Sequence, residues 1–249
     1  MTTFLKNENF FFYKNYSDCT ILLDASGIIY TLLNIEDNPS KCGGNYTKFE
    51  REISKVFKKF EQCNIKVIVV LDGATPKMKR KTKLERFKTR VKQNPETPGA
   101  GESFWHLLAN EVFVSTLERF NVKIIQAPFE ADDVLALLSY RFELPIMSND
   151  SDFFFHRHPV LSFKELIHND VIETDNSSYL VIETINPIDI CKRFKIPNET
   201  LLQLAPLLIG NDYVPPLQEY FPNWKYFKTR SFHVKDRSFY IRAILHWIG

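Results

Sequence analysis

Residues 124–154, IIQAPFEADDVLALLSYRFELPIMSNDSDFF, constrain the fold more than any other part of the chain. Two short apolar runs, Val122–Gln126 and Leu144–Met147, are bounded by proline or polar residues, as buried parallel strands are. Between them Val134, Leu135, Leu138 and Phe142 recur at helical spacing, so residues 131–142 are expected to form a helix. The product is a β-α-β unit. Each strand leads into a pair of acids, Glu130 with Asp132 and Asp150 with Asp152. The carboxyl ends of parallel strands are where open α/β sheets bind ligands. Carboxylates crowded there repel one another unless a cation lies among them, and all-oxygen donors suit a hard divalent ion. For Glu130, Asp132 and Asp133 a plainer reading stands beside this one, because acids in a first helical turn complement the helix dipole. Asp150-Ser-Asp152 is read as extended, which turns both carboxylates to one side.

Two earlier strands also end in acids. Cys19–Leu23 runs into Asp24, and Val67–Leu71 runs into Asp72-Gly73. A helix over Glu199–Ile209 is expected to stop at Gly210-Asn-Asp212. Parallel connectivity sets such strand ends along one edge. Asp24, Asp72, Glu130, Asp132, Asp150, Asp152 and Asp212 would supply enough oxygen donors for two Mg²⁺ or Mn²⁺ ions. The chemistry that calls for such a site is in-line attack of water on a phosphodiester.

Composition narrows the class without naming it. Apolar residues make up 44% and charged residues 25%, as in ordinary globular domains. The longest unbroken apolar run, Val67–Leu71, is far too short to cross a bilayer. Cys19, Cys42, Cys63 and Cys191 form no C-x-x-C pair, which argues for free thiols in a reducing compartment rather than a zinc site. The first residues show no secretory leader, and an intracellular, nuclear protein is the expectation.

Charge is unevenly divided. The whole chain is +2, but residues 77–92 hold nine cations and one anion, leaving −6 for the rest. This stretch reads as a helix with a thin apolar stripe at Leu84, Phe87 and Val91, too polar to be buried. Its cations, Lys77, Lys79, Arg80, Lys81, Lys83, Arg86, Lys88 and Arg90 among them, suit a phosphate backbone, or form a solvated face. Residues 94–101 read as a return loop. Tyr46, Phe49, Ile53, Val56, Phe57 and Phe60 mark a strongly amphipathic helix, Phe104–Phe120 another, and Pro187–Phe194 a third.

With these residues assembled, the sequence resembles the flap-endonuclease/XPG branch of the PIN-like nucleases, and within it the Asteroid family. The matching segments are LLDASGIIYTLL, GGNYTKF, VVLDGATPK, QAPFEADDVLALL, SNDSDFFF and LLIGNDY, in order between about residues 19 and 213. The resemblance implies an α/β, PIN-like three-layer fold: a mainly parallel sheet between helices, a basic helical arch with its loop at 77–101, and a helical part at 186–249. The whole, 1–249, would be one nuclease domain. It implies metal-ligand roles for the seven acids above and selects Asp132 over Asp133. It places Lys79 and Arg86 where the family has a lysine and an arginine that reach the scissile phosphate; seven residues apart, they share a helical face. Tyr30 falls where the family stacks a base, with a core tyrosine as the rival reading.

Two departures are visible. Family members begin Met-Gly-Ile-x-Gly-Leu, whereas this chain begins MTTFLKN, so that element is expected to be missing. The family's glycine-rich helix-turn-helix, which grips duplex DNA through a potassium ion, is also expected to be missing, since Asp212 is followed by Tyr-Val-Pro-Pro and no glycine recurs until Gly249. The expected partner is therefore DNA with single-stranded or overhanging character, bound by a monomer without a membrane. The alternative is a non-catalytic member that binds nucleic acid or protein in signalling or repair assemblies. An aspartyl-phosphate phosphatase fits poorly, because Ser26 stands where its second acid would be.

Overall fold

The computed structural model describes residues 1–33, 45–93, 108–175, 177–210, 214–217 and 237–249. The expected metal ligand Asp212 and the loop at 94–101 lie outside them. The chain divides into two compact units, residues 13–149 with 161–183, and residues 1–12 with 150–160 and 184–249.

The described strands are β1 (Phe11–Tyr16), β2 (Thr20–Asp24), β3 (Lys66–Leu71), β4 (Lys123–Gln126), β5 (Ile146–Met147), β6 (Val160–Leu161), β7 (Ile172–Glu173) and β8 (Ser178–Ile185). Their order is β1-β8-β6-β5-β2-β3-β4, with β7 pairing antiparallel to β8. In the larger unit β5, β2, β3 and β4 run parallel, and Leu23 faces Met147, Asp24 faces Val70, and Leu71 faces Gln126. This is the mainly parallel sheet expected of a PIN-like fold.

The helices begin with α1 (Thr2–Asn7), α2 (Ala25–Leu33), α3 (Tyr46–Gln62), α4 (Arg80–Gln93), α5 (Ala109–Arg119) and α6 (Ala131–Phe142). Side chains alternate across a strand, so β2 and β3 each serve two layers. Ile21, Leu23, Val67 and Val69 share a core with Ile28 and Leu32 of α2, Phe49, Ile53 and Phe57 of α3, and Phe113 and Leu117 of α5. Leu22 and Val70 are just as buried but lie outside that cluster, as does Leu135 of α6, a helix that packs on β2 and β3. Helices therefore cover both faces of the strands. Helix α3 shows why the pattern works. Asn45 accepts the Lys48 N–H at 3.1 Å as its N-cap, and Phe57 meets Phe60 and Phe113 edge-on at 5.6 and 6.4 Å. On the same helix, Lys59 donates to the carbonyls of Leu166 and Asn169 at 3.1 and 2.7 Å, closing the end of α7 (Lys164–His168).

In the smaller unit, a 3-10 turn over Ser151–Phe155 buries Phe153, Phe154 and Phe155, and Phe154 lies edge-on to Phe11 at 5.7 Å. Helix α8 (Pro187–Phe194) opens with proline at its first turn under an Asn186 cap, as expected from N-terminal preferences. Its Phe194 packs on Phe10 and on His246 of the C-terminal helix Arg237–Ile248. Glu8 receives Arg193 at 3.8 Å and also Arg242. The helix expected over Glu199–Ile209 is instead two, α9 (Glu199–Leu202) and α10 (Leu204–Ile209). The cause is Pro206, which has no N–H for the Leu202 carbonyl. Gly210 ends α10 at φ 93°, a conformation that favours glycine. Among the described residues no helix is long and apolar enough to cross a membrane.

Candidate metal and nucleic-acid site

Four chain segments of the larger unit are knitted together around Asp24 and Asp72. Strand β2 delivers Asp24 to its carboxyl end, only 7% exposed. One carboxylate oxygen accepts the Gly27 N–H at 3.1 Å, and the other accepts the Ser148 hydroxyl at 2.8 Å from just beyond β5. Gly27 is required here: a Cβ would stand 2.6 Å from Asp24 Oδ2 and 2.7 Å from Phe163 Cε2. That close approach explains the glycine in Asp-Ala-Ser-Gly.

Asp72 follows β3 and is exposed. Its Oδ2 accepts the Ser26 hydroxyl at 2.6 Å, and its Oδ1 accepts the Ala131 N–H at 2.8 Å from the start of α6. Gln126 donates to its main-chain carbonyl, and the Gly73 N–H donates to the Phe129 carbonyl. A side chain at Gly73 would collide with the carbonyls of Ala127 and Pro128. The Asp-Gly pair thus locks the β3 end to the loop that carries Glu130.

Glu130 occupies the N-cap position of α6 in extended conformation, yet its side chain makes no cap bond. It turns to Lys79, whose ammonium lies 2.7 Å from Oε2, both side chains being mostly buried. The helix-dipole reading therefore does not account for where Glu130 points. Asp132 is half-buried in the first turn and Asp133 exposed. In the smaller unit, Asp150 caps the 3-10 turn by accepting the Asp152 N–H at 3.0 Å. The extended geometry expected of Asp150-Ser-Asp152 is corrected accordingly: Asp152 sits in the first turn of a helix, because a capping aspartate offers its own carboxylate to the backbone two residues on.

Among the described residues no group of three or more His, Cys, Asp or Glu side chains is gathered as a metal cluster. The donor set itself, carboxylates with no thiolate or imidazole, would suit a hard divalent cation.

The basic segment forms a 3-10 turn, Lys77–Lys79, running directly into α4. Lys77, Arg80, Lys81, Lys83, Arg86 and Lys88 are exposed, as are Met78 and Leu84, so the apolar stripe is not packed away at Leu84. Lys83 reaches Thr75 at 3.2 Å, and the Arg90 side chain is outside the described ones. Tyr30 is 42% exposed on α2, which rules out the core reading. The supporting residues Ser26, Gly27, Gln126 and Ser148 carried no sequence signal beyond proximity to an acid. Only the folded chain shows that they hold the acids in place.

The catalytic core of Rad2 in complex with DNA substrate matches this chain with a TM-score of 0.56 at 21% identity, over 80% of this chain and 57% of that one. Flap endonuclease-1 from Methanococcus jannaschii matches with a TM-score of 0.54 at 15% identity, over 97% and 84%. The fold is that of the PIN-like flap endonucleases. Residues 6–94 match the XPG N-terminal domain. The single-strand DNA endonuclease ASTE1 of Homo sapiens is 27% identical over 98% of this chain and 37% of its own length. The protein asteroid of Drosophila melanogaster is 30% identical over 64% of this chain and 19% of its own. The chain is thus similar in sequence to the Asteroid proteins and, over residues 6–94, to the XPG N-terminal domain. It spans about a third of the length of the curated ASTE1 relatives it matches.

Proposed function

We propose that the chain is a metal-dependent, structure-specific nuclease that hydrolyses phosphodiester bonds in single-stranded or overhanging DNA. The observation that carries this reading is the hydrogen-bonded chain from Ser148 through Asp24 and from Ser26 through Asp72 to the start of α6, with a basic helix leading away from it. The naming of its human relative as a single-strand DNA endonuclease supports the substrate class.

In this reading Asp24, Asp72, Glu130, Asp132, Asp150, Asp152 and Asp212 hold two Mg²⁺ or Mn²⁺ ions. Such ions lower the pKa of the attacking water and stabilise the leaving oxygen. Ser148, Gly27, Ser26 and the Ala131 N–H fix the orientation of Asp24 and Asp72, so little rearrangement is needed when substrate arrives. Lys79, which pairs with Glu130 in the free protein, and the exposed Arg86 would offset the charge of the scissile phosphate once Glu130 turns to an ion. The exposed cations of α4 hold the flanking backbone, and Tyr30 stacks on an unpaired base.

The test is incubation of the purified chain with labelled single strands, 5′ flaps, 3′ overhangs and duplexes, with Mg²⁺ or Mn²⁺ and with EDTA. Cleavage of the single-stranded and overhanging DNA is expected, lost in EDTA and in Asp150→Ala and Asp152→Ala. Binding without cleavage of any substrate would leave a nucleic-acid-binding module in its place.

A further inference from the structure

Beside Asp72 lies an open cleft of about 490 Å³, formed by α2, α5 and the ends of β3 and β4. Its volume falls within the usual range of small-ligand sites. Its apolar lining, Ala25, Ile29, Leu71 and Val114, is buried or half-buried and so forms its floor. Its walls are polar, and most of them only accept. Asp72, Glu111 and Glu118 are carboxylates, with no hydrogen to donate. The hydroxyl hydrogens are committed elsewhere: Ser26 donates to Asp72 and Ser115 to the Val112 carbonyl. Gln126 directs one of its two amide N–H bonds at the Asp72 carbonyl, and it and Asn110 are the wall residues that can still donate. Among the described residues no lysine, arginine or histidine lines the cleft.

Away from Asp72 a phosphate would meet Glu111 and Glu118 and no lysine or arginine, so the cleft does not continue the track laid by α4. The ligand that fits is flat and apolar on its faces, uncharged, and able to donate hydrogen bonds from its edge. We propose that the cleft receives one unpaired nucleobase next to the cleaved phosphate, and selects bases with an amine at C4 or C6, cytosine or adenine, over thymine. Cytosine N4 and adenine N6 are donors, whereas thymine shows carbonyl oxygens at the corresponding position. A base reaches such a cleft only when unstacked, as in a single strand. A hydrated cation would match the carboxylates but leave the apolar floor without a partner. This inference rests on the nuclease reading, since it places the base beside Asp72.

The experiment uses thymine 20-mers carrying one cytosine, moved along the strand, against an all-thymine strand. Dissociation constants are measured by fluorescence anisotropy in Ca²⁺, and cut positions are mapped in Mg²⁺. The chain is compared with Ser115→Phe, which fills the cleft from an exposed position, and with Glu118→Gln; thermal melts confirm that each is folded. The expected result is binding about five- to tenfold tighter for the cytosine strand, the scale of a good base-edge interaction. Cuts should fall at a fixed spacing from the cytosine, and both variants should bring the affinity ratio close to one. Equal affinity for all strands, or an unchanged ratio in Ser115→Phe, overturns the base cleft. So does a melting shift with Mg²⁺ or spermine that depends on Glu118 when no base preference exists. Cutting without preference sinks the cleft alone, while preference without cutting sinks the nuclease reading and keeps the cleft.

Discussion

The Lys79–Glu130 pair allows the clearest quantitative test of how the basic segment is tied to the site. The charges approach to 2.7 Å with side chains 13% and 14% exposed. At an effective dielectric of about 20, that separation gives a gross attraction of roughly 6 kcal/mol, most of it offset by removing both ions from water. Removing one partner takes this contact from the other, mostly buried charge, at a cost of about 3 kcal/mol. For a chain of this size that lowers Tm by about 6–12 °C. Lys79→Met and Glu130→Gln should each show this loss in equilibrium urea unfolding. The double variant should be less destabilised than the sum of the singles by at least about 1.5 kcal/mol, because the second change removes the charge that had lost this contact. Effects that add within about 0.5 kcal/mol would refute the coupling, and with it the anchoring of the basic segment at α6.

Other consequences are separable from that one. Charge reversal at Lys81, Lys83 and Lys88 should weaken single-strand binding and flatten its salt dependence, by roughly 0.7 in log–log slope for each phosphate no longer neutralised; an unchanged slope would move the DNA track elsewhere. Gly27→Ala should displace the Asp24 carboxylate and destabilise the chain by about 1–3 kcal/mol, since its Cβ has no room between Asp24 and Phe163; wild-type melting and cleavage would contradict the packing. Burial holds the His156 imidazole below its ordinary value of 6.5. As pH falls through 6.5 the unfolded chain takes up the proton first, so stability is lost from there down to the lower folded value. His156→Phe should remove that part of the acid sensitivity, and identical pH profiles of unfolding would show that the ring is not desolvated.

Much of the architecture was legible because burial imposes periodicity. Helix α6 falls at 131–142 and α8 at 187–194, as apolar spacing and the Asn-Pro start demand. Strands β2 and β3 were legible as apolar runs ending in Asp24 and Asp72. The Glu199–Ile209 segment kept a helical pattern through Pro206, and an apolar pattern carries no information about one missing N–H. Strand β1 is exposed over most of its length, so Phe11–Tyr16 shows no alternation to read. At the site, acids were visible but their holders were not. Ser26 meets Asp72 and Ser148 meets Asp24 across 46 and 124 residues, and such closeness is a property of register rather than spacing. Asp150 illustrates the converse: a local cap redirected a carboxylate that alternation had pointed elsewhere.

If carboxylates far apart in sequence hold divalent ions in common, the ions can be counted without reference to any substrate. Electron paramagnetic resonance gives the number of Mn²⁺ bound per chain. Two ions are expected, with binding lost or sharply weakened in Asp24→Asn and equally in Asp72→Asn, which end different strands of the larger unit. Mn²⁺ binding that is absent, or that survives both substitutions unaltered, would contradict a shared metal centre.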